Sequence, residues 1–273
     1  MSMGQALILG VVQGFTEFLP ISSSGHLVIL QHYFGLTESM ISFDVLVHVG
    51  TLAAVVVFLR KNLLAILLSI CRRSAWRDPT YSQEHHVLLL ILVALIPTAL
   101  VGIVIFAIRE TLFRNLLVPA TMLIVTGWLL WLAGRCTLNA GQSNAPRFGA
   151  RQALLIGLAQ GIAIIPGISR SGATISVALL QGVKREVAFR FSFLLFIPAV
   201  IAALVMEARD MTASNSISMT TCTVAVTASF VTGILALFLL ERVLRKGKLA
   251  CFAWYCWALG GVIIVSQVMK ALL

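Results

Sequence analysis

Two short stretches of this sequence carry most of the groups that are capable of chemistry. The first stretch holds a carboxylate, three consecutive serines and an imidazole, and the second holds two serines, a guanidinium and a threonine. These groups are Glu17, Ser22, Ser23, Ser24 and His26, then Ser169, Arg170, Ser171 and Thr174. Ionisable groups inside an apolar chain usually have a function, because a charge in hydrocarbon costs about 2.5–3.5 kcal/mol on insertion scales.

This combination of groups suits phosphate chemistry. Arg170 offers a planar fork for phosphoryl oxygens, and a Gly/Ser turn at a helix start offers backbone N–H groups for an anion. Glu17 can act as a general base or hold a divalent cation, and His26 can transfer a proton or attack phosphorus. The alternatives are a serine-rich turn that only caps a helix and a structural ion pair of Arg170.

Both stretches lie at breaks in apolar segments. Residues 3–19 and 27–36 flank the first break, and residues 152–165 and 173–183 flank the second. Each flanking segment is too short to cross a bilayer as an ordinary helix. Proline, glycine and serine at the breaks therefore predict two re-entrant helix pairs, each of which enters and leaves the membrane on one side.

The other apolar segments predict six transmembrane helices. They are roughly residues 43–59, 86–108, 115–133, 187–206, 220–240 and 250–269; residues 62–71 predict an interfacial helix or a cytoplasmic connection. Apolar residues make up 59% of the 273 and charged residues 11%, with a mean hydropathy of +1.00. Such a chain has too little polar surface for a soluble domain. The predicted fold class is an all-α integral membrane protein.

The two broken regions are copies of each other. Residues 6–14 align without gaps on residues 153–161, an offset of 147. The same offset places an Ile-Ser and a Ser-Gly pair of the first loop on identical pairs of the second. We therefore predict a duplication within one membrane domain, 1–273, with repeat one at about 1–133 and repeat two at about 151–273.

The repeats are predicted to have inverted topology. Three predicted spans separate the two copies, and an odd number reverses the second copy in the membrane. The connections on one side carry 15 of the chain's 20 Lys and Arg residues and those on the other side carry 4. The positive-inside rule then puts both termini outside, so that the re-entrant pairs dip from opposite faces and their tips can meet.

At matching positions the copies differ in their reactive groups. Glu17 corresponds to Ile164, Ser23 corresponds to Arg170, and His26 corresponds to Ala173. Divided roles of this kind are expected of an asymmetric active site. Outside the two stretches, Asp44 and His48 lie one helical turn apart, and either a supporting or proton-relay role or a satisfied pair within the bundle fits them.

The formal charge of +10 belongs mostly to the connections between apolar segments. It therefore indicates topology and lipid headgroups. No basic patch interleaved with aromatic residues is present, so nucleic-acid binding is not expected. The five cysteines have no CxxC spacing, which favours buried thiols over a disulfide framework or a metal site.

At its two stretches the sequence resembles the undecaprenyl-diphosphatase family, also called BacA or UppP. The run from Gln13 to His26 satisfies the family's first signature, [E/Q]-G-x-T-E-x-x-P-x-S-S-x-G-H, and the run from Pro166 to Thr174 satisfies its second, P-G-x-S-R-S-G-A-T. The resemblance covers essentially the whole chain. Some members have Glu where this chain has Gln13, and an amide cannot act as a base.

The resemblance implies hydrolysis of undecaprenyl diphosphate to the monophosphate and phosphate. That reaction recycles the lipid carrier for peptidoglycan and other wall polymers and confers resistance to bacitracin, which sequesters the diphosphate. It implies a multi-pass protein of the bacterial plasma (inner) membrane, with the active site facing the extracytoplasmic side. The partners expected are the polyprenyl diphosphate lipid and the membrane, and a homodimer is compatible with them.

The resemblance also assigns the site by position. The implied catalytic residues are Glu17, His26, Arg170 and Ser23, and Ser23 is the favoured nucleophile among the serines. The implied substrate-binding residues are Gln13, Ser22, Ser24, Gly25, Ser169, Ser171, Gly172 and Thr174. The family implies a divalent cation, magnesium or calcium, for which Glu17 is the candidate ligand.

Two other classes of membrane protein share some of these features. Membrane phosphatases of the phosphatidic-acid-phosphatase type also use PSGH and SR motifs, but this chain lacks their upstream Lys…Arg-Pro element and their later histidine. A transporter or flippase for a lipid phosphate or a small anion is the main alternative, because inverted repeats with broken helices are typical of transporters.

Overall fold

The computed structural model describes most of the chain. The described residues are 1–36, 41–71, 82–108, 112, 116–139, 148–209 and 218–272. Over these ranges the protein forms eleven helices and no strand. They are α1 Met3–Phe18, α2 Ser23–Tyr33, α3 Ile41–Phe58, α4 Arg60–Cys71, α5 Ser82–Ala107, α6 Leu117–Asn139, α7 Ala150–Ile162, α8 Arg170–Leu180, α9 Arg185–Arg209, α10 Met219–Arg245 and α11 Cys251–Leu272. The all-α prediction is confirmed.

Five of these helices, α5, α6, α9, α10 and α11, are long and apolar enough to cross a membrane. Helices α3 and α4 meet at a bend of 76° at Leu59, and they make a sixth span if they are counted together. The predicted segment 43–59 therefore corresponds to α3, and the predicted segment 62–71 is the helix α4. These findings confirm a multi-pass membrane protein.

Helix α5 shows how the bundle meets lipid. Its large apolar side chains at Leu89, Leu92, Ile96, Leu100 and Ile103 recur every three or four residues and are all exposed. This spacing places them on one face of the helix. A continuous apolar stripe is expected where the surrounding solvent is hydrocarbon.

The two broken regions form the helix pairs α1–α2 and α7–α8. Each second helix starts at a serine cap: the Ser22 hydroxyl accepts from the Gly25 N–H at 3.3 Å, and the Ser169 hydroxyl accepts from the Gly172 N–H at 3.1 Å. A side-chain acceptor here satisfies an N–H group that has no partner within its helix. The sequence motifs thus encode the start of both helices.

Glycines set the packing of both pairs in the same way. Gly10 of α1 lies against the backbone of Ala225 in α10, and its counterpart Gly157 of α7 lies against the backbone of Ala94 in α5. A threonine accompanies each contact, since Thr232 of α10 donates to a carbonyl of α1 and Thr98 of α5 donates to a carbonyl of α7. These equivalent contacts are what a duplication would produce, while the inverted orientation of the copies stays a prediction.

The tips of the two pairs contact each other, as the sequence predicted. A side-chain carbon built onto Gly172 would lie 3.2 Å from Cβ of Pro20, and one built onto Gly25 would lie 3.5 Å from Cα of Gly167. Gly167 has φ +95° and Ser22 has φ +70°, in the left-handed region that favours glycine. The breaks are therefore tight turns that hold the starts of α2 and α8 side by side.

Candidate active site

Glu17 is the centre of the buried polar cluster. It lies one residue before the end of α1 and is only 6% exposed. Its Oε2 atom accepts a hydrogen bond from the Ser23 hydroxyl at 2.5 Å and another from Nε2 of Gln13 at 3.0 Å. Gln13 is one helical turn earlier on α1, and Ser23 is the first residue of α2. The turn at Pro20 thus folds the hydroxyl back onto the carboxylate.

Arg170 brings a cation from the second helix pair to the same carboxylate. Its Nη1 atom is 3.7 Å from Oε1 of Glu17, which is an ion-pair distance but too long for a hydrogen bond. The guanidinium carbon lies 5.2 Å above the ring of Phe196. Buried Nη1 has no hydrogen-bond partner among the described residues. The guanidinium is therefore held in place and still has a donor available for an anionic ligand.

A histidine that the sequence analysis left open completes the cluster. Nε2 of His48, on α3, is 3.6 Å from Oε2 of Glu17. Its Nδ1 atom is 2.7 Å from the backbone oxygen of Asp44, and since a carbonyl only accepts, Nδ1 carries the proton. The Asp44 carboxylate accepts from Gln31 at 2.8 Å. Only the imidazolium form, with a second proton on Nε2, would stabilise the Glu17 carboxylate, and a role of His48 in relaying protons stays a prediction.

His26 makes its hydrogen bonds away from Glu17. Its Nδ1 atom lies 2.7 Å from the backbone oxygen of Ser22, and its Nε2 atom lies 2.7 Å from the hydroxyl of Tyr255. The two rings are nearly parallel, with 6° between their planes. Nδ1 donates to the carbonyl, so in the neutral ring Nε2 accepts from the tyrosine. Within the described residues, no hydrogen bond or ion pair joins His26 to Glu17 or Arg170.

The remaining residues assigned to substrate binding form the walls of the turns. The Ser22 and Ser24 hydroxyls are 3.4 Å apart, and those of Ser169 and Ser171 are 3.2 Å apart. The Thr174 hydroxyl donates to the backbone oxygen of Arg170 at 2.9 Å. These contacts place the hydroxyls at the two helix starts, next to the contacting tips of the helix pairs. Their role in binding substrate stays a prediction.

The structure adds two residues that the sequence did not indicate. Tyr255 of α11 contacts His26, and Thr126 of α6 makes two hydrogen bonds to the turn between α7 and α8. The Thr126 hydroxyl donates to the backbone oxygen of Gly167 at 3.0 Å and accepts from the Ser169 N–H at 3.1 Å. Both residues lie in ordinary apolar spans. No local motif could have identified them, because their partners are distant in sequence.

The donor atoms fit a divalent cation that is held partly by its substrate. Oε1 of Gln13 is buried beside Glu17 and has no hydrogen-bond partner among the described residues. Together with the Glu17 carboxylate it makes two oxygen donors, and magnesium is often bound by one or two carboxylates plus substrate phosphates. The described residues contain no group of three or more His, Cys, Asp or Glu side chains arranged for a metal ion.

Chemically, the cluster can bind and attack an electrophile that carries negative charge. A carboxylate at 2.5 Å from the Ser23 hydroxyl is positioned to accept its proton, and Arg170 can neutralise anionic oxygens next to it. Helix ends and broken helices supply the backbone for this arrangement inside a bundle of membrane-spanning helices. The fold and the site therefore define a polytopic membrane protein that buries a carboxylate, a hydroxyl and a guanidinium together inside its bundle.

Comparison with known proteins agrees with this class. The chain belongs to the family described as bacitracin resistance protein BacA, whose model matches residues 6–262. It is 40% identical to an undecaprenyl-diphosphatase of Desulforapulum autotrophicum over 97% of this chain and 99% of the relative. It is 42% identical to one of Carboxydothermus hydrogenoformans, with 98% of each chain covered. It is 43% identical to one of Desulfosudis oleivorans, with 94% of this chain and 96% of the relative covered.

Proposed function

We propose that this protein hydrolyses undecaprenyl diphosphate to undecaprenyl phosphate and inorganic phosphate within the membrane. The observation that carries the proposal is the contact of Glu17 with both Ser23 and Arg170. A hydroxyl, its base and a phosphate-binding cation, held together, supply the positioning and charge stabilisation on which phosphoryl transfer depends. The name shared by its relatives, undecaprenyl-diphosphatase, supports the same substrate.

In the proposed reaction, Ser23 attacks the terminal phosphorus. Glu17 accepts the hydroxyl proton as the new O–P bond forms, and the bond to the lipid phosphate breaks, which releases undecaprenyl phosphate. Glu17 then passes this proton to the departing phosphate. Water attacks the phosphoserine as Glu17 takes a proton from it, the bond between phosphorus and the Ser23 oxygen breaks, that oxygen regains the proton from Glu17, and inorganic phosphate leaves. Arg170 binds the non-bridging oxygens throughout and stabilises the charge that they carry in the transition state. His26 and water are the alternative attacking groups.

A divalent cation belongs to this proposal as an expectation from the family. Glu17 and the amide oxygen of Gln13 would hold it together with diphosphate oxygens. When bound, it would neutralise part of the charge on the diphosphate.

The lipid tail fits a site inside a bundle. The apolar stripe of α5 and similar exposed apolar side chains on other helices face hydrocarbon, so the polyprenyl chain can lie among the helices. We infer placement in the bacterial plasma membrane with the termini and the catalytic face outside, which the distribution of Lys and Arg supports. A homodimer would be detected by cross-linking in native membranes.

The equivalent packing of α1 on α10 and α7 on α5 supports inverted repeats. Inverted repeats with broken helices are typical of transporters, so the second candidate function is a transporter or flippase for a lipid phosphate or a small anion. Lipid phosphate would then move between leaflets past the same site. Purified protein that moves a lipid phosphate in vesicles but releases no phosphate from a prenyl diphosphate would favour this candidate. The proposed function also leads us to expect that raised expression increases bacitracin resistance.

The decisive experiment is phosphate release from a short-chain prenyl diphosphate in detergent, with and without a chelator. We expect turnover by the natural protein, about a 1000-fold loss in Ser23→Ala, and a phosphate label on Ser23 that can be trapped with acid. Ser266→Ala is the control, because that hydroxyl only bonds its own helix. Full turnover without Ser23 would assign the attack to His26 or water, and no turnover by the natural protein would contradict the function.

A further inference from the structure

A cavity of about 530 Å³ opens on the bundle, and no residue of the Glu17 cluster lines it. It lies between the end of α3, the start of α9 and the end of α10. Phe58 at its edge is ten residues beyond His48 on α3, which corresponds to about 15 Å along a helix. The connections around this cavity belong to the Lys- and Arg-rich side, which the positive-inside rule assigns to the cytoplasm.

The cavity has an excess of positive charge. Its charged lining residues are Arg60, Lys61, Arg185, Glu186, Arg190, Glu241 and Arg245. Both carboxylates are paired with Arg245, at 3.8 Å from Glu186 and 2.9 Å from Glu241. Arg185 donates to the backbone oxygen of Arg245 at 3.3 Å.

Three cations remain for a ligand. Among the described residues, Arg60, Lys61 and Arg190 have no carboxylate within ion-pair distance. All three are exposed to solvent, and Arg60 only donates to a carbonyl of its own turn. Such a cluster attracts a phosphate group.

The other wall of the cavity is apolar. Phe58, Phe189, Ile234 and Phe238 line it, and Phe238 is 59% exposed. Val57, another lining residue, is 41% exposed. Cations on one side and exposed aromatic and aliphatic groups on the other suit a ligand with an anionic head and a hydrocarbon chain.

A row of phenylalanine rings packed edge-to-face or at a tilt separates this cavity from the Glu17 cluster. Ring centroids are 6.0 Å apart for Phe58 and Phe189, 4.8 Å for Phe189 and Phe193, 5.6 Å for Phe193 and Phe18, and 5.8 Å for Phe18 and Phe196. Phe196 is the ring beneath Arg170. A headgroup in the cavity is therefore held apart from Glu17, and the cavity is a site of its own.

We propose that this cavity binds the phosphate headgroup of an anionic membrane lipid, one with net negative charge. Arg60, Lys61 and Arg190 contact the phosphate, and the first part of the chain lies along Val57 and Phe238. The bound lipid anchors the junction at which the bent pair α3–α4 meets α9 and α10. This inference goes beyond hydrolysis, since no serine, threonine or histidine lines the cavity.

Native mass spectrometry of the full chain tests the proposal. The probes are phosphatidic acid, phosphatidylcholine and inorganic phosphate, each added to delipidated protein. The test variant combines Arg60→Gln, Lys61→Gln and Arg190→Gln. The matched control combines Arg242→Gln, Lys246→Gln and Lys248→Gln, which removes the same charge from the same end of the bundle without touching the cavity lining.

We expect the natural protein and the control to retain phosphatidic acid, and the test variant to bind it about tenfold or more weakly. Phosphate release should remain normal in both variants, so that failure of this proposal is distinguishable from failure of the proposed function. An equal loss in both variants would reduce the effect to general surface charge and overturn the proposal. Equal retention of phosphatidylcholine, or equally tight binding of inorganic phosphate, would overturn it as well.

Discussion

The helix pairs α1–α2 and α7–α8 share a scaffold and differ in chemistry. Both start their second helix at a serine cap that accepts from a glycine N–H, and both pack through a glycine on an alanine backbone. The first pair carries Glu17, Ser23 and His26 where the second carries Ile164, Arg170 and Ala173. The serine caps and the glycine contacts have thus been kept, while the reactive groups are unlike and the left-handed residue is Ser22 in one turn and Gly167 in the other.

This comparison explains how one buried site can hold an acid and its counter-charge. A single helix pair offers one turn and one helix start, and two identical pairs would put like groups together. Because the tips touch, the unlike groups Glu17 and Arg170 meet across them at 3.7 Å. The glutamines show the same divergence: Gln13 donates to Glu17, whereas its counterpart Gln160 faces no carboxylate at the matching position.

The largest loss of phosphate release is expected when Arg170, the cation of the pair α7–α8, is replaced. Arg170→Ala should lower phosphate release by about 1000-fold or more, because a cation that stabilises a phosphoryl transition state contributes at least that much. Arg170→Lys should recover only part of the rate, since an ammonium keeps the charge but not the fork. Arg151→Ala, an exposed position on α7, is the control. Near-normal turnover in Arg170→Ala would contradict the assignment of a catalytic residue to the pair α7–α8.

The next largest loss of activity is expected when Glu17, the carboxylate of the pair α1–α2, is replaced. Glu17→Gln keeps the shape but removes the base, and we expect a loss of about 100-fold in kcat. The corresponding change in the other copy, Ile164→Val, should leave kcat within about twofold, because an exchange of similar apolar groups is well tolerated. Equal losses at both positions would contradict the division of roles between the pairs.

Stability can test whether the two pairs are packed equivalently. Gly10→Ala and Gly157→Ala should each destabilise the protein by about 1–3 kcal/mol, because the added carbon would overlap a neighbouring alanine backbone. Gly261→Ala adds its carbon to open space and should be neutral or stabilise the helix by up to about 1 kcal/mol. Thermal unfolding in detergent measures all three. A loss confined to one of the first two variants would break the proposed equivalence.

A smaller effect is expected for the support of His26. Tyr255→Phe removes the hydroxyl 2.7 Å from Nε2, and the loss of one such bond should reduce kcat about tenfold or less. The pH profile of kcat should shift as well, which a change in packing alone would not produce. Tyr33→Phe, on an exposed tyrosine of the same helix as His26, should change neither. An unaltered pH profile in Tyr255→Phe would separate the tyrosine from the reaction.

The smallest expected effect is a change in stability, of opposite sign for replacement of Gln160 and of Gln13. The Gln160 side chain is buried, 1% exposed, and its amide has no hydrogen-bond partner among the described residues. Gln160→Leu should therefore stabilise the protein by about 1 kcal/mol, because it removes an unsatisfied polar group. Gln13→Leu should destabilise it, since the bond to Glu17 is lost. A destabilised Gln160→Leu would reveal a partner for that amide.

The sequence was most informative at the two breaks in its apolar segments. Proline, serine and glycine at the two turns predicted the helix pairs, and the predicted entry of the pairs from opposite faces of the membrane implied that their tips can meet. Tyr255 and Thr126 were beyond reach because they lie in regular apolar helices. Tyr255 is 229 residues from its partner His26, and only the packing of α11 brings the two together. His48 was noticed from its spacing to Asp44, but its contact with Glu17 depends on how α3 packs against α1.

The pairing of Glu17 with Arg170 also has a consequence for biosynthesis. The carboxylate enters the membrane with the first helices to be made, whereas its guanidinium partner follows 153 residues later. Until then the acid lies in hydrocarbon at a cost of about 2.5–3.5 kcal/mol, and its partners among the described residues of the first half are Ser23, Gln13 and His48. Insertion of the second half is therefore favoured by the attraction between Glu17 and Arg170. An early stop in translation would yield a fragment in which Glu17 lacks this guanidinium partner.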